Sequence, residues 1–180
     1  MLVNRQKRYA VRTASLGGFV RKLKRRLRLG NIEFNICFVD DKAIRRLNSA
    51  YRGKDKPTDV LSFPWNEAES HLRPHRRVPH GQQACGGIKN FLGDVVISVE
   101  AAGRNAGAEG HSTLNEIRWL ILHGVLHLLG YDHERDGGEM NELELVLREQ
   151  LGVAGGRQAK EQVKSQKSKV KKQEFNRSRF

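Results

Sequence analysis

Cysteine is scarce in this chain of 180 residues: Cys37 and Cys85 stand alone, 48 positions apart. Two thiols so placed make neither a disulfide framework nor a zinc knuckle, and they agree with a reducing compartment. Long apolar runs are missing too. No stretch approaches the roughly 20 residues that cross a bilayer, and the N-terminus lacks the uninterrupted apolar segment of a signal peptide. The expectation is a soluble, cytoplasmic protein with no membrane partner. Aromatic residues are few, at 7%, yet hydrophobic residues reach 38%, enough over this length for one domain with a real core plus extensions.

Acidic residues are absent where the chain begins. Residues 1–30 hold ten Lys or Arg and no acid, and residues 157–180 hold nine against two acids. The stretch between holds fourteen basic and eighteen acidic residues, so the net charge of +13 sits at the two ends of a mildly acidic middle. Basic ends favour a polyanion through counterion release, with nucleic acid the foremost candidate; they would also serve solubility alone.

What the chain does have is a run of eleven residues, His123-Gly124-Val125-Leu126-His127-Leu128-Leu129-Gly130-Tyr131-Asp132-His133. His123 and His127 are four apart, so a helix stacks them on one face. Gly130 tolerates positive φ and lets the chain turn back, bringing His133 beside them. A single histidine on an apolar face is usually a core residue, but three at this spacing predict metal ligands. Three neutral imidazoles leave a position open for water, the ligand count of catalytic zinc, one ion per chain. A structural site would recruit four ligands, often cysteines, and neither cysteine lies near this run in sequence.

Around the run, apolar periodicity predicts the other elements. Val11, Leu16, Phe19, Val20, Leu23 and Leu27 give a helix over residues 10–29 with a basic outer face, ended by Gly30. That face suits a phosphate backbone or merely solvent. Ile32, Phe34, Ile36 and Phe38 alternate as a strand; Asp40 and Asp41 are candidate N-caps of a helix to about Tyr51. A polar loop, Arg52 to Asp59, leads to a short strand, Val60 to Pro64. Residues 65–90 lack periodicity and read as a long loop, whose His71, His75 and His80 are a solvated group rather than a second metal site. Gly93 to Ser98 reads as an internal strand and residues 99–107 as a short helix. The buried central helix, carrying the metal site, opens at Ser112 or Thr113, with a Thr113/Glu116 capping box. Glu139 to Leu151 closes the domain. Residues 1–9 are expected to be a basic extension, 10–152 the metal-bearing domain, and 153–180 a disordered basic tail.

The ligand spacing matches that of metzincin proteases, but their general-base glutamate follows the first histidine, and Gly124 cannot move a proton. Phosphodiester cleavage asks instead for a cation near the metal to neutralise the phosphoryl oxygens, with water or a ribose hydroxyl as nucleophile. Arg52, Lys54 and Lys56 offer one, unless they are only an exposed turn.

The eleven-residue run, with Asn48, Tyr51-Arg52-Gly53-Lys54-Asp55, Thr58-Asp59-Val60-Leu61-Ser62-Phe63-Pro64 and Gly93-Asp94-Val95-Val96-Ile97-Ser98, resembles the bacterial YbeY family over about residues 10–151. The resemblance implies an α+β domain with a small mixed sheet packed among helices. It implies a single-strand-specific, metal-dependent endoribonuclease that matures the 3′ end of 16S ribosomal RNA and takes part in ribosome quality control. Its partners would be precursor RNA and the small subunit or 70S ribosome, not DNA. By position, His123, His127 and His133 would be metal ligands, and Arg52 and His123 would carry activity. Tyr131 and Asp132 would either support the ligands or pack. The rival readings are a non-catalytic ribosome assembly factor whose metal site shapes an RNA-binding surface and, less favoured, a metalloprotease. The 65–90 loop is longer than the family pattern needs, and the Lys-rich segment after Gly156 lies outside it.

Overall fold

The computed structural model describes residues 1–65 and 90–153. Within them the elements run β1 (Leu2–Asn4), α1 (Thr13–Arg26), β2 (Glu33–Val39), α2 (Asp41–Arg52), β3 (Val60–Pro64), β4 (Phe91–Ser98), α3 (Val99–Glu109), α4 (Thr113–Leu128) and α5 (Glu139–Leu151). The strands form one mixed sheet in the order β1-β2-β4-β3. β1, β2 and β4 are parallel, and β3 runs antiparallel along the edge of β4. This is the α+β domain that the family resemblance implies. Among the described residues no helix is long and apolar enough to cross a membrane.

Pleating divides the strands between two cores. Phe34, Ile36 and Phe38 of β2 and Val95 and Ile97 of β4 face the main core, where Leu16, Phe19 and Leu23 of α1, Ala102 of α3, Ile121, Leu122 and Val125 of α4, and Met140 and Leu147 of α5 meet them. The intervening Val39, Leu61 and Val96 face the other way and are covered by Ile44, with Ala43 and Leu47, of α2. Each fully buried aliphatic side chain contributes about 1.5–3 kcal/mol through area removed from water. α2 starts at the Asp40 cap, whose carboxylate accepts from the Ala43 N–H at 2.7 Å, and stops at Gly53 in the left-handed region.

Two ends of the chain depart from the sequence expectation. Residues 1–9, set aside as a basic extension, contribute β1, with Leu2, Val3 and Asn4 opposite Ile36, Cys37 and Phe38. Three residues are too short for alternation to register, but the open edge of β2 pairs with them. Val153, assigned to the tail, is 4% exposed in the main core. Gly152 turns left-handed (φ 67°) and lets the Val153 N–H donate to the Arg148 carbonyl at 2.9 Å, folding the side chain inward. Most of the 65–90 loop, with His71, His75, His80 and Cys85, and the segment beyond Val153 lie outside the described residues.

Between Glu33 and Asn35 the β2/β4 register slips, because β4 carries an extra residue near Gly93. Gly93 has φ 138°, and a Cβ there would stand 2.1 Å from the Phe63 carbonyl oxygen of β3. Gly93→Ala should therefore lower stability by about 3 kcal/mol, through overpacking and a disfavoured φ together. Urea unfolding checks this; an unchanged midpoint would contradict the close approach.

Candidate metal centre

α4 brings two of the imidazoles and its end brings the third. Ser112 caps the helix, its hydroxyl accepting from the Asn115 N–H at 3.2 Å. The Thr113/Glu116 box expected from sequence does not form, because the cap lies one residue earlier and Glu116 then stands too far along to reach back. Glu116 is instead buried, 3.1 Å from His111 Nε2, and its burial pushes the carboxyl pKa up. At the other end, the Gly130 N–H donates to the His127 carbonyl at 3.0 Å and the Tyr131 N–H to the Leu126 carbonyl at 3.1 Å. These paired bonds, with Gly130 at φ 86°, make the turn that reverses the chain after the helix. The Asp132 carboxylate then accepts from the Glu134 N–H at 3.1 Å, and its carbonyl from the Arg135 and Asp136 N–H groups, fixing the loop that carries His133.

His123, His127 and His133 converge. Each offers one ring nitrogen, and these atoms lie within 4.8 Å of one another. Ring centroids are 4.7 Å apart for His123 and His127, and 5.3 and 5.4 Å from these to His133. Nε2 of His123 and Nε2 of His127 face each other at 3.1 Å, an arrangement that needs a shared proton or a cation between them. His133 is exposed and the other two half-buried, so the group opens to solvent on one side. The donor set, soft enough for a transition ion and incomplete on that side, could hold a metal with a free position.

The surroundings keep His127 neutral and orient His123. Burial first, then the neighbouring His123 and His133, lower the His127 pKa to about 4. His123 Nδ1 lies 3.1 Å from a Glu144 carboxylate oxygen on α5, and the other oxygen of Glu144 accepts from Trp119 Nε1. A carboxylate at Nδ1 selects the Nδ1–H tautomer and leaves the Nε2 lone pair for a ligand. The Arg148 guanidinium lies 4.6 Å over the Trp119 ring, which it helps hold. Sequence reading missed Glu144. The available signal was its position four residues after Met140, an acid on the buried stripe of an amphipathic helix.

Gly124 faces the sheet. A Cβ there would meet Val95 Cγ1 at 2.6 Å and Ser62 Oγ at 3.1 Å, and the Ser62 hydroxyl donates to the Gly124 carbonyl at 3.0 Å. The glutamate of a metalloprotease could not be housed at this position, which argues against proteolysis on steric as well as chemical grounds.

Arg52 closes α2, exposed, with no ion-pair partner among the described residues. No hydrogen bond joins it to the imidazoles; the link is through neighbours. Tyr51 packs edge-on against Phe63 of β3 at 5.0 Å, and the next residue back, Ser62, touches Gly124 beside His123. Asn48, buried at 3% exposure, donates from Nδ2 to the Lys56 carbonyl at 2.7 Å and so holds the loop that follows Arg52. Lys54 and Lys56 are exposed on that loop. Tyr131 packs against the main core, and burial raises its phenol pKa.

A sequence model of the family described as Endoribonuclease YbeY matches residues 2–152. An Endoribonuclease YbeY of Aquifex aeolicus is 46% identical over 131 residues, covering 71% of this chain and 76% of its own. One from Roseiflexus castenholzii is 42% identical over 128 residues, covering 70% and 72%. A solution structure of a Thermotoga maritima protein superposes with a TM-score of 0.53 at 25% identity, covering 84% of this chain and 89% of that one.

Replacing a helical glycine by alanine ordinarily stabilises by about 1 kcal/mol, but Gly124→Ala should destabilise by about 1–3 kcal/mol because Val95 must give way. A lower urea midpoint at constant slope is the expected reading. In the metal-free protein the folded pKa of His127, about 4, lies below its unfolded value of 6.5, so the unfolded chain binds more protons between them. The stability His127 contributes above pH 6.5 should be lost as the pH falls towards 4. Unfolding curves of wild type and His127→Gln should converge over that interval; parallel curves would contradict it.

Proposed function

The chain belongs to the YbeY endoribonuclease family, and from this we propose that it cuts single-stranded RNA by metal-dependent phosphodiester cleavage. The substrate is precursor ribosomal RNA, cut near the 3′ end of the 16S species on the small subunit or 70S ribosome in the cytoplasm, and the same activity serves ribosome quality control. The observation that carries this reading is the convergence of His123, His127 and His133 on one point, open to solvent, with a glycine where a protease keeps its base.

His123, His127 and His133 would hold one zinc ion, presenting neutral imidazole nitrogens at a half-open position. The ion supplies the Lewis acidity that phosphodiester cleavage requires. The chain's own residues do the rest. Glu144 holds His123 with its Nδ1 proton facing away from the ligand point, so that Nε2 keeps its lone pair. The Arg52 guanidinium, without an ion-pair partner among the described residues and presented at a helix end, binds two phosphoryl oxygens in parallel and offsets the charge they gain as the bond breaks. Asn48 keeps the loop after Arg52 folded back, so the guanidinium is offered from a fixed base.

The test combines metal analysis and cleavage on the purified full chain. One zinc per chain is expected, with cutting of single-stranded RNA and sparing of a duplex of the same sequence. His123→Ala should lose both metal and cleavage. Arg52→Ala should keep the metal while kcat falls by about 10²–10³-fold. Undiminished cleavage by the metal-free His123→Ala protein would remove the imidazoles from the chemistry. If Arg52→Ala bound precursor particles and restored maturation in cells despite its lost cleavage, the assembly-factor reading would replace this one.

A further inference from the structure

Apart from Lys24, the cations of α1 make no ion pair among the described residues. The helix buries Leu16, Phe19 and Leu23 in the main core, with Val20 packed beside them, so its opposite face is turned outward. Arg21, Lys22, Arg25 and Arg26 are exposed there, and Arg28 is exposed just past the helix end. Lys24 pairs with Glu33, but the other five basic residues between positions 21 and 28 have no ion-pair partner among the described residues. On the helix surface Arg21 and Arg25 stand one turn apart with Arg28 beyond them, and Lys22 and Arg26 form a second row. A cation about every 5–6 Å along a strip is charge-complementary to the evenly spaced phosphates of a nucleic-acid strand.

Arg28 adds an independent sign. α1 closes with the Leu29 N–H donating to the Lys24 carbonyl at 3.0 Å and the Arg28 N–H to the Arg25 carbonyl at 3.2 Å. This geometry puts Arg28 at φ 54°, the left-handed region that glycine adopts freely and an L side chain adopts under strain. At the corresponding turns after α2, α4 and α5 the chain uses Gly53, Gly130 and Gly152. An arginine in that position gives up stability that glycine would keep, and what the chain receives for it is one more exposed guanidinium at the end of the basic strip.

We propose that the outer face of α1, through Arg21, Lys22, Arg25, Arg26 and Arg28, docks the phosphate backbone of the RNA substrate at a site separate from the imidazole cluster. The proposal rests on the reading of the chain as an RNA-cutting enzyme and assigns α1 the strand flanking the cut. Backbone contacts of this kind hold the strand without reading bases, so the gain in affinity is independent of sequence.

The test uses the full chain and a 2′-O-methyl RNA oligonucleotide confirmed uncut by gel. Against wild type, Arg21→Ala/Arg25→Ala/Arg28→Gly should weaken binding at least about tenfold at low salt. The plot of log affinity against log salt should flatten by about 2, near 0.7 for each lost contact on a single strand. KM for a long cleavable RNA should rise while kcat holds. Arg28→Gly alone should raise Tm and still weaken binding, a combination that a merely solubilising side chain cannot give. Equal affinity and slope in wild type and triple variant, with cleavage intact, would overturn the docking face and leave the nuclease reading standing. If the wild type itself neither bound nor cut RNA, the nuclease reading would fall first. Loss of binding to phosphatidylglycerol vesicles with RNA affinity unchanged would assign the face to membranes and overturn the proposal, as would a Tm lowered by Arg28→Gly.

Discussion

The approach of α4 to the sheet at Gly124 sets the geometry on which the rest depends. With no side chain at that point, the helix backbone comes down on Val95 of β4, and its carbonyl accepts the Ser62 hydroxyl of β3. His123 and His127 flank this contact, one beside it and one a turn on, so their ring positions follow from how closely backbone meets sheet. Close-packed interiors transmit such a constraint because little can move independently. The same contact brings Ser62, and through Phe63 the Tyr51 end of α2, into the neighbourhood of the cluster. Arg52 is thereby carried on a helix whose other face is seated in the smaller core.

The imidazoles answer two opposed demands. A nitrogen that is to bind a metal must be unprotonated, which favours burial, and a substrate must reach the ion it would hold, which favours exposure. His127 is buried enough for its pKa to fall to about 4, while exposed His133 leaves one side of the group open. Glu144 meets the remaining need by orienting His123 from behind, and Trp119 and Arg148 hold Glu144 and its surroundings in turn. Such supporting contacts raise the precision of a site more than its ligands do alone.

The imidazole cluster and the basic helix are suited to different physical tasks. Chemistry on a phosphodiester is local and wants a few groups placed to a fraction of an ångström. Holding a long polyanion is diffuse and wants many cations placed loosely, with strength set by salt. α1, docked on the core by Leu16, Phe19 and Leu23 and basic through its C-terminal half, suits the second task. At its terminus Arg28 adopts φ 54°, a conformation glycine takes with less strain, and its guanidinium is exposed.

Local regularities were legible from the residues alone. The helix over His123 and His127, the reversal at Gly130, the alternation of β2 and the cap at Asp40 are all settled within a few residues of chain, where propensity and periodicity act. Membership of the α+β class was legible through motifs rather than through periodicity. Contacts between distant segments were not. Glu144 reaches His123 across 21 positions, β1 adds to a strand 34 positions away, Gly124 is required by a valine from another element, and Val153 tucks under the core. Of the two helix starts the sequence offered, the cap falls at Ser112, and Glu116 lies buried beside His111 rather than in a capping box. Sequence by itself determined which residues could serve as ligands, because spacing along a helix is a local property. Tertiary packing alone decided which partners steady them and how near the backbones come, because those depend on how separately formed surfaces fit together.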